Sequence, residues 1–329
     1  MRPAELTKTL AATIKAKLPV LIKGAPGCGK SDIVTAAAEA AGAKVVLMHP
    51  VVCDPTDFKG LPCVVDGKAD FLPFGDLNAL MTAKTLTVAF LDDLGQAPAV
   101  VQAAAMQLIL ARQINGHKIS DHVVFIAATN RREDRAGVTG ILEPVKSRFA
   151  TIVELSPNVD DWCGWALDND VPPELVAFVR FRPGLLTDPG VVTNDIVNRP
   201  SPRTVTNLGR LYSAGLSDLE TLSGAAGQGF AAEFVGFLRV WQSLPAIDDI
   251  LAAPEKAQVP TNPAALYAIS TALANRITKE TAGKMFRYLT RLPEEFSVLG
   301  VRDALRTCPA ASNCAEFVKW ATTHQNVLI

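Results

Sequence analysis

Net charge of either sign is almost absent from this sequence of 329 residues. Its 32 lysines and arginines are matched by 33 aspartates and glutamates, so the formal net charge is −1 and the isoelectric point is near 6.4. Proteins that bind nucleic acid generally carry a basic excess or a basic face. Unless a basic patch forms locally, nucleic acid is not expected as a partner.

Closely spaced cysteine pairs are also absent. The six cysteines show no C-x-x-C spacing and lie at Cys28, Cys53, Cys63, Cys163, Cys308 and Cys314. A C-x-x-C pair would indicate a metal or redox site, and a disulfide scaffold would be smaller and denser in cysteine. We therefore expect reduced thiols in a cytoplasmic protein.

Long hydrophobic runs are missing as well. The first ten residues, MRPAELTKTL, lack the apolar core of a signal peptide, and the longest apolar stretch, residues 97–111, is interrupted by Gln102 and Gln107. A helix that spans a bilayer needs about 20 apolar residues. The sequence thus predicts no membrane span.

What the sequence does contain is GAPGCGKS at residues 24–31, which fits the phosphate-loop pattern G-x-x-x-x-G-K-[ST]. It lies between a predicted strand at residues 20–23 and a predicted helix at residues 32–41, the context that the motif requires. Glycines allow successive backbone amides to point at a phosphate chain, and the helix directs the positive end of its dipole there. Lys30 would contact the outer phosphates, and the Ser31 hydroxyl would bind Mg²⁺. The predicted nucleotide-binding residues are Gly24, Ala25, Pro26, Gly27, Cys28, Gly29, Lys30, Ser31 and Asp32.

Carboxylates follow a second apolar run, TVAFL at residues 87–91. Such a run predicts a buried parallel strand, and ligands bind at the carboxyl ends of strands in open α/β sheets. Asp92 would hold the Mg²⁺ hydration shell together with Ser31, and Asp93 would be the base that orients water toward the γ-phosphate. The alternative is that the two aspartates only cap a helix. Asn130, after a further strand at residues 123–128, would bind water or the γ-phosphate, or else only satisfy a strand end.

The remaining pattern predicts an α/β core followed by helices. Strands are expected at residues 45–48 and 151–155, and helices at residues 3–17 and 98–112. Two hairpins are predicted at the turn pairs Asp66-Gly67 and Asn115-Gly116. The first is either an ordinary surface hairpin or a loop that contacts a partner. Beyond residue 155 the sequence has helical periodicity interrupted by proline and glycine, and it predicts no further strand.

The order of motifs resembles the AAA+ ATPases, and within them the MoxR-like branch. The resemblance covers the first two thirds of the chain and depends on GAPGCGKS, FLDDLGQAP, AATNRREDRAG, LEPVKSRF and RPSPRTV. It implies an AAA+ P-loop parallel-sheet αβα core at residues 1–155, with the two hairpins at the positions of pore-lining inserts. A helical lid at residues 156–244 would follow. Residues 245–329 are predicted to form a linker, over the proline- and alanine-rich residues 245–263, and a C-terminal helical segment.

The same resemblance assigns functional roles. Asn130 would be sensor one, Arg148 the arginine finger offered to the nucleotide of the neighbouring subunit, and Arg203 the sensor-two arginine of the lid. Arg135 and Lys146 are rival fingers. A finger supplied in trans implies a ring, most often a hexamer in this family, that hydrolyses ATP with Mg²⁺ and remodels, matures or activates a client protein. A von Willebrand A domain protein is the partner that the family implies.

One departure from the family pattern concerns Asp93, where glutamate is usual. A carboxylate one methylene shorter would place the attacking water less well, so slower hydrolysis is expected. A nucleotide-gated assembly protein with little turnover is therefore an alternative, and a nucleic-acid motor or loader shares the fold. No N-K-x-D motif is present, which disfavours a GTPase, and the sensor-like segments disfavour a small-molecule kinase.

Overall fold

The computed structural model describes residues 1–134, 140–187 and 195–324. The chain forms two compact units, Met1–Asn158 and Val159–Ile329. The first unit contains a five-stranded parallel sheet in the order β2-β5-β8-β1-β9. Its strands are β1 (Val20–Gly24), β2 (Lys44–Met48), β5 (Thr87–Leu91), β8 (Val123–Thr129) and β9 (Thr151–Leu155).

Helices cover both faces of this sheet. Those of the first unit are α1 (Pro3–Lys15), α2 (Lys30–Ala41), α3 (Pro55–Lys59), α4 (Gly75–Thr82), α5 (Ala99–Ala111) and α6 (Glu143–Lys146). Along β5, Val88 and Phe90 join the core that contains α1 and α2, whereas Ala89 and Leu91 join the core that contains α3, α4 and α5. Successive residues of a strand point to opposite faces, so one apolar run serves two cores. The predicted three-layer α/β fold is confirmed.

Two antiparallel hairpins extend the first unit, as the turn pairs predicted. They are β3 (Leu61–Val65) with β4 (Lys68–Leu72), and β6 (Gln113–Ile114) with β7 (His117–Lys118). Both turns place two successive residues at positive φ, at 49° and 75° in the first and 48° and 83° in the second. This is the geometry of the two-residue turn that Asp-Gly and Asn-Gly favour.

The second hairpin is hydrogen-bonded to helix α3 and to the first hairpin. The side-chain amide of Asn115 donates to the Lys59 carbonyl at 2.9 Å, and His117 Nε2 donates to the Phe71 carbonyl at 2.7 Å. The second hairpin is therefore attached both to the end of α3 and to strand β4.

The described residues of the second unit form helices and no strand. The helices are α7 (Val159–Leu167), α8 (Pro173–Phe181), α9 (Gly184–Thr187), α10 (Pro202–Ser213), α11 (Leu219–Ala226), α12 (Gln228–Gln242), α13 (Ile247–Ala252), α14 (Pro263–Asn275), α15 (Ala282–Leu289), α16 (Glu294–Thr307) and α17 (Ala315–Thr323). Phe178 lies at the centre of one core, with its ring 5.2–5.6 Å from the rings of Phe230, Phe234 and Phe237. The all-α part that was expected after the sheet is thus present.

The segment interpreted as a linker, residues 245–263, contains α13. Ile250 on this helix is fully buried in a core shared with α14, α15 and α16. Arg180 on α8, which precedes this segment, forms a buried ion pair with the carboxylate of Asp303 on α16, which follows it. The Arg180 guanidinium also donates to the Thr271 hydroxyl on α14 at 3.3 Å. Residues from both sides of the segment therefore pack into one unit.

Candidate functional site

The loop between β1 and α2 is shaped by glycine. Gly27 and Gly29 have φ values of 74° and 92°, a region that side chains rarely adopt. At Gly24 a Cβ atom would lie 3.1 Å from both the Leu155 carbonyl oxygen and Cys28 Sγ, so the close approach to β9 also requires glycine. Burial raises the pKa of the Cys28 thiol above its ordinary value.

The amino end of α2 has backbone donors and no side-chain cap. Gly29 occupies the cap position and makes no side-chain hydrogen bond to the first turn, whereas Ser201 and Asp218 cap α10 and α11 through their side chains. Amides in the first turn of a helix have no intrahelical partner, and the helix dipole favours an anion there. The loop is therefore suited to bind a phosphate group.

Lys30 places its ammonium group inside this loop. The residue is only 7% exposed. Its Nζ donates to the carbonyl oxygens of Gly24 and Ala25, at 3.0 Å each, and to Asn130 Oδ1 at 2.7 Å. All three acceptors are neutral oxygens. The positive charge of the Lys30 ammonium is therefore not compensated by a carboxylate at these contacts, and it is suited to attract phosphate oxygens.

Ser31 and Asp92 lie next to each other at the ends of α2 and β5. The Ser31 hydroxyl donates to Asp92 Oδ2 at 2.6 Å, while Asp92 Oδ1 accepts from the Asp93 amide at 3.0 Å. Among the described residues no group of three or more histidine, cysteine, aspartate or glutamate side chains could enclose a metal ion. A hydroxyl and one carboxylate fit Mg²⁺, which keeps several waters and takes few protein ligands.

Asp93 is held in a left-handed backbone conformation, with φ 56° and ψ 31°. Aspartate is one of the few residues with a side chain that tolerates this region. Its Oδ1 accepts hydrogen bonds from Asn130 Nδ2 at 3.2 Å and from Gln96 Nε2 at 2.8 Å. Two amides therefore fix the carboxylate, which a simple pair of helix-capping aspartates would not require.

Sequence reasoning did not single out Gln96. It lies three residues after Asp93, within the 3-10 turn Leu94–Gln96. The sequence marks Gln96 only as a polar residue in an otherwise apolar segment. The Oε1 atom of Gln96 is buried and has no hydrogen-bond partner among the described residues. This residue therefore carries an unsatisfied polar atom directly beside Asp93.

The candidate fingers differ in their surroundings. Lys146 Nζ forms an exposed ion pair with Glu143 at 2.6 Å, whereas the buried Nε of Arg148 has no hydrogen-bond partner among the described residues. Arg135 lies outside the described residues. Arg203 lies in the first turn of α10, in the second unit, and its side chain is exposed.

Arg131, which follows Asn130 directly, is engaged in a local ion-pair cluster. It donates to both carboxylate oxygens of Asp134, at 3.0 and 2.8 Å, and approaches Glu154 Oε1 at 3.5 Å. Lys23 pairs with the other Glu154 oxygen at 2.7 Å. Hydrogen bonding to Asp134 raises the pKa of Arg131 above its usual range. The cluster stabilises the edge between β1, β8 and β9.

The first unit also matches a known protein family. Residues 19–149 match the family model described as AAA domain (dynein-related subfamily). This part of the chain is thus an AAA domain, as the order of its motifs had indicated. The chain matches no curated protein.

Similar solved structures include two proteins at low identity. One is the RuvB Holliday junction branch migration motor of Thermotoga maritima, at 17% identity over 88% of this chain and 87% of that chain, with a TM-score of 0.41. The other is NtrX from Brucella abortus, at 14% identity over 99% of this chain and 67% of that chain, with a TM-score of 0.43. In the part of the chain that is described, no helix is both long and apolar enough to cross a membrane.

Proposed function

We propose that this protein is an AAA+ ATPase of the MoxR-like type, which binds ATP with Mg²⁺, hydrolyses it and uses the cycle to remodel, mature or activate a client protein. It acts in the cytoplasm as a ring of identical subunits, most simply a hexamer, together with a von Willebrand A domain protein. The observation that carries the proposal is the hydrogen-bonded series of Lys30 at the start of α2, Asn130 after β8 and Asp93 after β5.

Each side chain of this series has one chemical task in the proposal. Lys30 would exchange its carbonyl and amide contacts for the β- and γ-phosphate oxygens. Ser31 and Asp92 would hold Mg²⁺, which would supply positive charge to the phosphates. Asp93 orients water for in-line attack on the γ-phosphate. Asn130 links the γ-phosphate to Asp93, because its side chain would contact both the phosphate and the carboxylate.

Two arginines complete the proposed site. Arg148 of one subunit is offered to the nucleotide of the next, where its planar fork would stabilise charge on the γ-phosphate in the transition state. The unpartnered Nε of Arg148 supports this choice over Lys146, whose ammonium is already paired. Arg203 is the sensor-two residue that contacts the γ-phosphate from the helical part.

The first hairpin is the proposed client-contacting element. Leu61, Val64 and Leu72 are each more than half exposed, with Val64 at 76%. Exposed aliphatic side chains on a narrow two-stranded ribbon would bind an apolar stretch of an unfolded or flexible segment.

The ATPase proposal is tested with purified protein by steady-state phosphate release. Lys30→Ala is expected to abolish nucleotide binding, and Asp93→Asn to lower kcat at least about 100-fold while nucleotide still binds. Lys8→Ala, an exposed lysine on α1, and Asp170→Asn, an exposed aspartate that also has positive φ, are matched controls. Equal turnover of the natural chain and Asp93→Asn would refute the assignment of the base.

The ring is tested separately by measuring mass with ATP, with ADP and without nucleotide. Arg148→Ala should bind nucleotide and lose turnover at protein concentrations where the natural chain assembles. A fully active Arg148→Ala variant would refute the finger in trans. Stimulation of turnover by DNA or RNA would favour the motor or loader alternative instead.

A second candidate function is a nucleotide-gated assembly protein with little turnover. It is favoured by the short Asp93 side chain, whose Oδ1 is already occupied by two amide donors. This alternative predicts assembly that depends on ATP and changes little over hours, together with a gain in turnover on Asp93→Glu.

A further inference from the structure

A buried amide interrupts the apolar face of α5. Gln102 is 1% exposed, and its neighbours on the buried face, Val101, Ala104 and Ala105, are apolar. Burying an amide side chain costs free energy unless its polar atoms are hydrogen-bonded. An apolar residue at this position would pack on the same core, so the amide calls for a specific explanation.

The hydrogen bonds of Gln102 join two separate segments. Its Nε2 donates to the carbonyl oxygens of Ala97, at 3.1 Å, and Gly140, at 2.9 Å, and its Oε1 accepts from the Leu142 amide at 3.2 Å. Both donors and the acceptor of the amide are used, so the side chain is held in one orientation. It binds the start of α5 to residues 140–142, which are about 40 positions away in the sequence.

The first of these segments adjoins the turn that holds Asp93, and the second leads to Arg148. Ala97 directly follows the turn that contains Gln96, whose amide holds Asp93. Leu142 is the residue before α6, and α6 leads to Arg148, whose amide donates to the Val145 carbonyl at 3.1 Å. Helix α6 has only four residues, so its position depends on contacts with the core, of which Val145 is one.

We propose that Gln102 is a positioning residue for Arg148: it fixes residues 140–142 against α5 and thereby sets where α6 presents this arginine to the neighbouring subunit. The inference depends on the proposed function, since it needs a finger that acts in trans. It predicts that loss of the Gln102 hydrogen bonds damages the site of the next subunit and leaves the phosphate loop of its own subunit intact.

The test compares Gln102→Met, which keeps the length of the side chain and removes the hydrogen bonds, with Gln107→Met, an exposed control on the same helix. Gln102→Met is expected to lower kcat about ten-fold or more through misplacement of Arg148. Its dissociation constant for nucleotide, measured on dilute subunits, should stay within about two-fold of the natural value, as for Gln107→Met.

Mixing two kinds of subunit distinguishes a misplaced Arg148, which acts on the neighbouring subunit, from damage to the nucleotide site of the Gln102→Met subunit itself. Lys30→Ala subunits cannot use nucleotide but carry an intact Arg148. Mixed with Gln102→Met subunits, they should restore turnover well above the sum of the two separate preparations. An Arg148→Ala mixture with Lys30→Ala is the reference for full complementation.

The outcomes are distinguishable. Recovery in the Arg148→Ala mixture without recovery in the Gln102→Met mixture overturns the role of Gln102 alone, and so does natural turnover of Gln102→Met. A fully active Arg148→Ala variant overturns the finger and the positioning role together.

A second variant covers the case in which Gln102→Met fails to fold. Leu142→Pro removes the amide hydrogen that bonds Gln102 Oε1 and leaves the two bonds that Gln102 Nε2 donates. The φ of Leu142, −56°, suits proline, and the leucine side chain that is lost is exposed. It should lower turnover in the same direction and recover in the same way with Lys30→Ala subunits. A Leu142→Pro protein with natural turnover overturns the proposal.

Discussion

The Lys30 ammonium and the Asn130 side-chain amide are joined by a hydrogen bond of 2.7 Å. Because Nζ can only donate, Asn130 must present its oxygen to the lysine and its nitrogen to the opposite side. There the nitrogen donates to Asp93 at 3.2 Å. One amide thus connects the residue that would bind phosphate with the residue that would orient water.

Asn130→Asp tests this bridge. The change removes the only donor that Asn130 offers to Asp93 and places a second carboxylate beside the first. We expect kcat to fall about 100-fold, the magnitude found when an oriented donor is lost at a reacting centre. Steady-state turnover and nucleotide affinity are measured together. Asn262→Asp is the control, because aspartate preserves the cap that Asn262 provides to the Ala264 amide. Natural turnover in Asn130→Asp would contradict the bridge.

Gln96→Leu tests the second support of Asp93. The variant leaves the Asp93 carboxylate with one amide donor, so we expect kcat to fall about ten-fold with little change in KM. The thermal midpoint should change little, because the loss of the hydrogen bond from Gln96 Nε2 to Asp93 is offset by removal of the buried Oε1, which has no partner. Gln242→Leu, at an exposed position on α12, is the matched control. A drop in midpoint with unchanged kcat would assign Gln96 a structural role only.

Asp303→Asn tests the buried ion pair of the second unit. Burial alone would lower the pKa of Arg180, and the carboxylate of Asp303 beside it reverses the effect and raises the pKa. Removing the negative charge leaves a buried cation uncompensated, at an expected cost of about 3–5 kcal/mol in urea unfolding.

The exposed pair of Arg306 with Asp168, 2.6 Å apart, provides the comparison, and Asp168→Asn should cost about 0–1 kcal/mol. The double variant Arg180→Met with Asp303→Leu should recover most of the loss. Equal costs at the buried and exposed sites would contradict this account.

Cys163 gives a dependence of stability on pH. Burial raises the pKa of this thiol to about 12, from an ordinary 9.0. Above pH 9 the unfolded chain therefore releases the thiol proton while the folded chain retains it, so unfolding becomes more favourable as pH rises. The contribution amounts to about 1.4 kcal/mol per pH unit up to the pKa of the folded state.

This contribution is measured as the difference in the free energy of unfolding between the natural chain and Cys163→Ala, from pH 8 to pH 10.5. The difference should shrink steadily above pH 9. Cys308→Ala, at a half-buried cysteine, controls for general effects of losing a thiol. A difference that stays constant with pH would refute the linkage.

The sequence was most informative where local pattern and packing agree. The strands were predictable because runs such as TVAFL contain four consecutive apolar residues, as burial on both faces requires. The hairpins followed from Asp66-Gly67 and Asn115-Gly116, whose backbone preferences act locally. Helices α3 and α4 were not predicted, since at five and eight residues they are too short for periodicity to identify.

The site was predictable to the extent that strand ends meet. Asp92, Asp93 and Asn130 converge because β5 and β8 are neighbours in a parallel sheet, which fixes the edge where they lie. Lys30 joins them because the next strand, β1, leads through the phosphate loop to the start of α2. Gln96 and Gln102 were missed because their hydrogen bonds depend on a left-handed turn at Asp93 and on a segment about 40 residues away. Each is visible in the sequence only as a polar residue in an apolar stretch, which does not indicate its partners.

Helix α5 has a mechanical consequence. Its 13 residues extend about 20 Å, from the turn that holds Asp93 to the start of the β6–β7 hairpin. A hydrogen-bonded helix of this length behaves as a stiff rod, and the hairpin at its far end is anchored to α3 and β4 through Asn115 and His117. A tilt of α5 at its Asp93 end would consequently move both hairpins together.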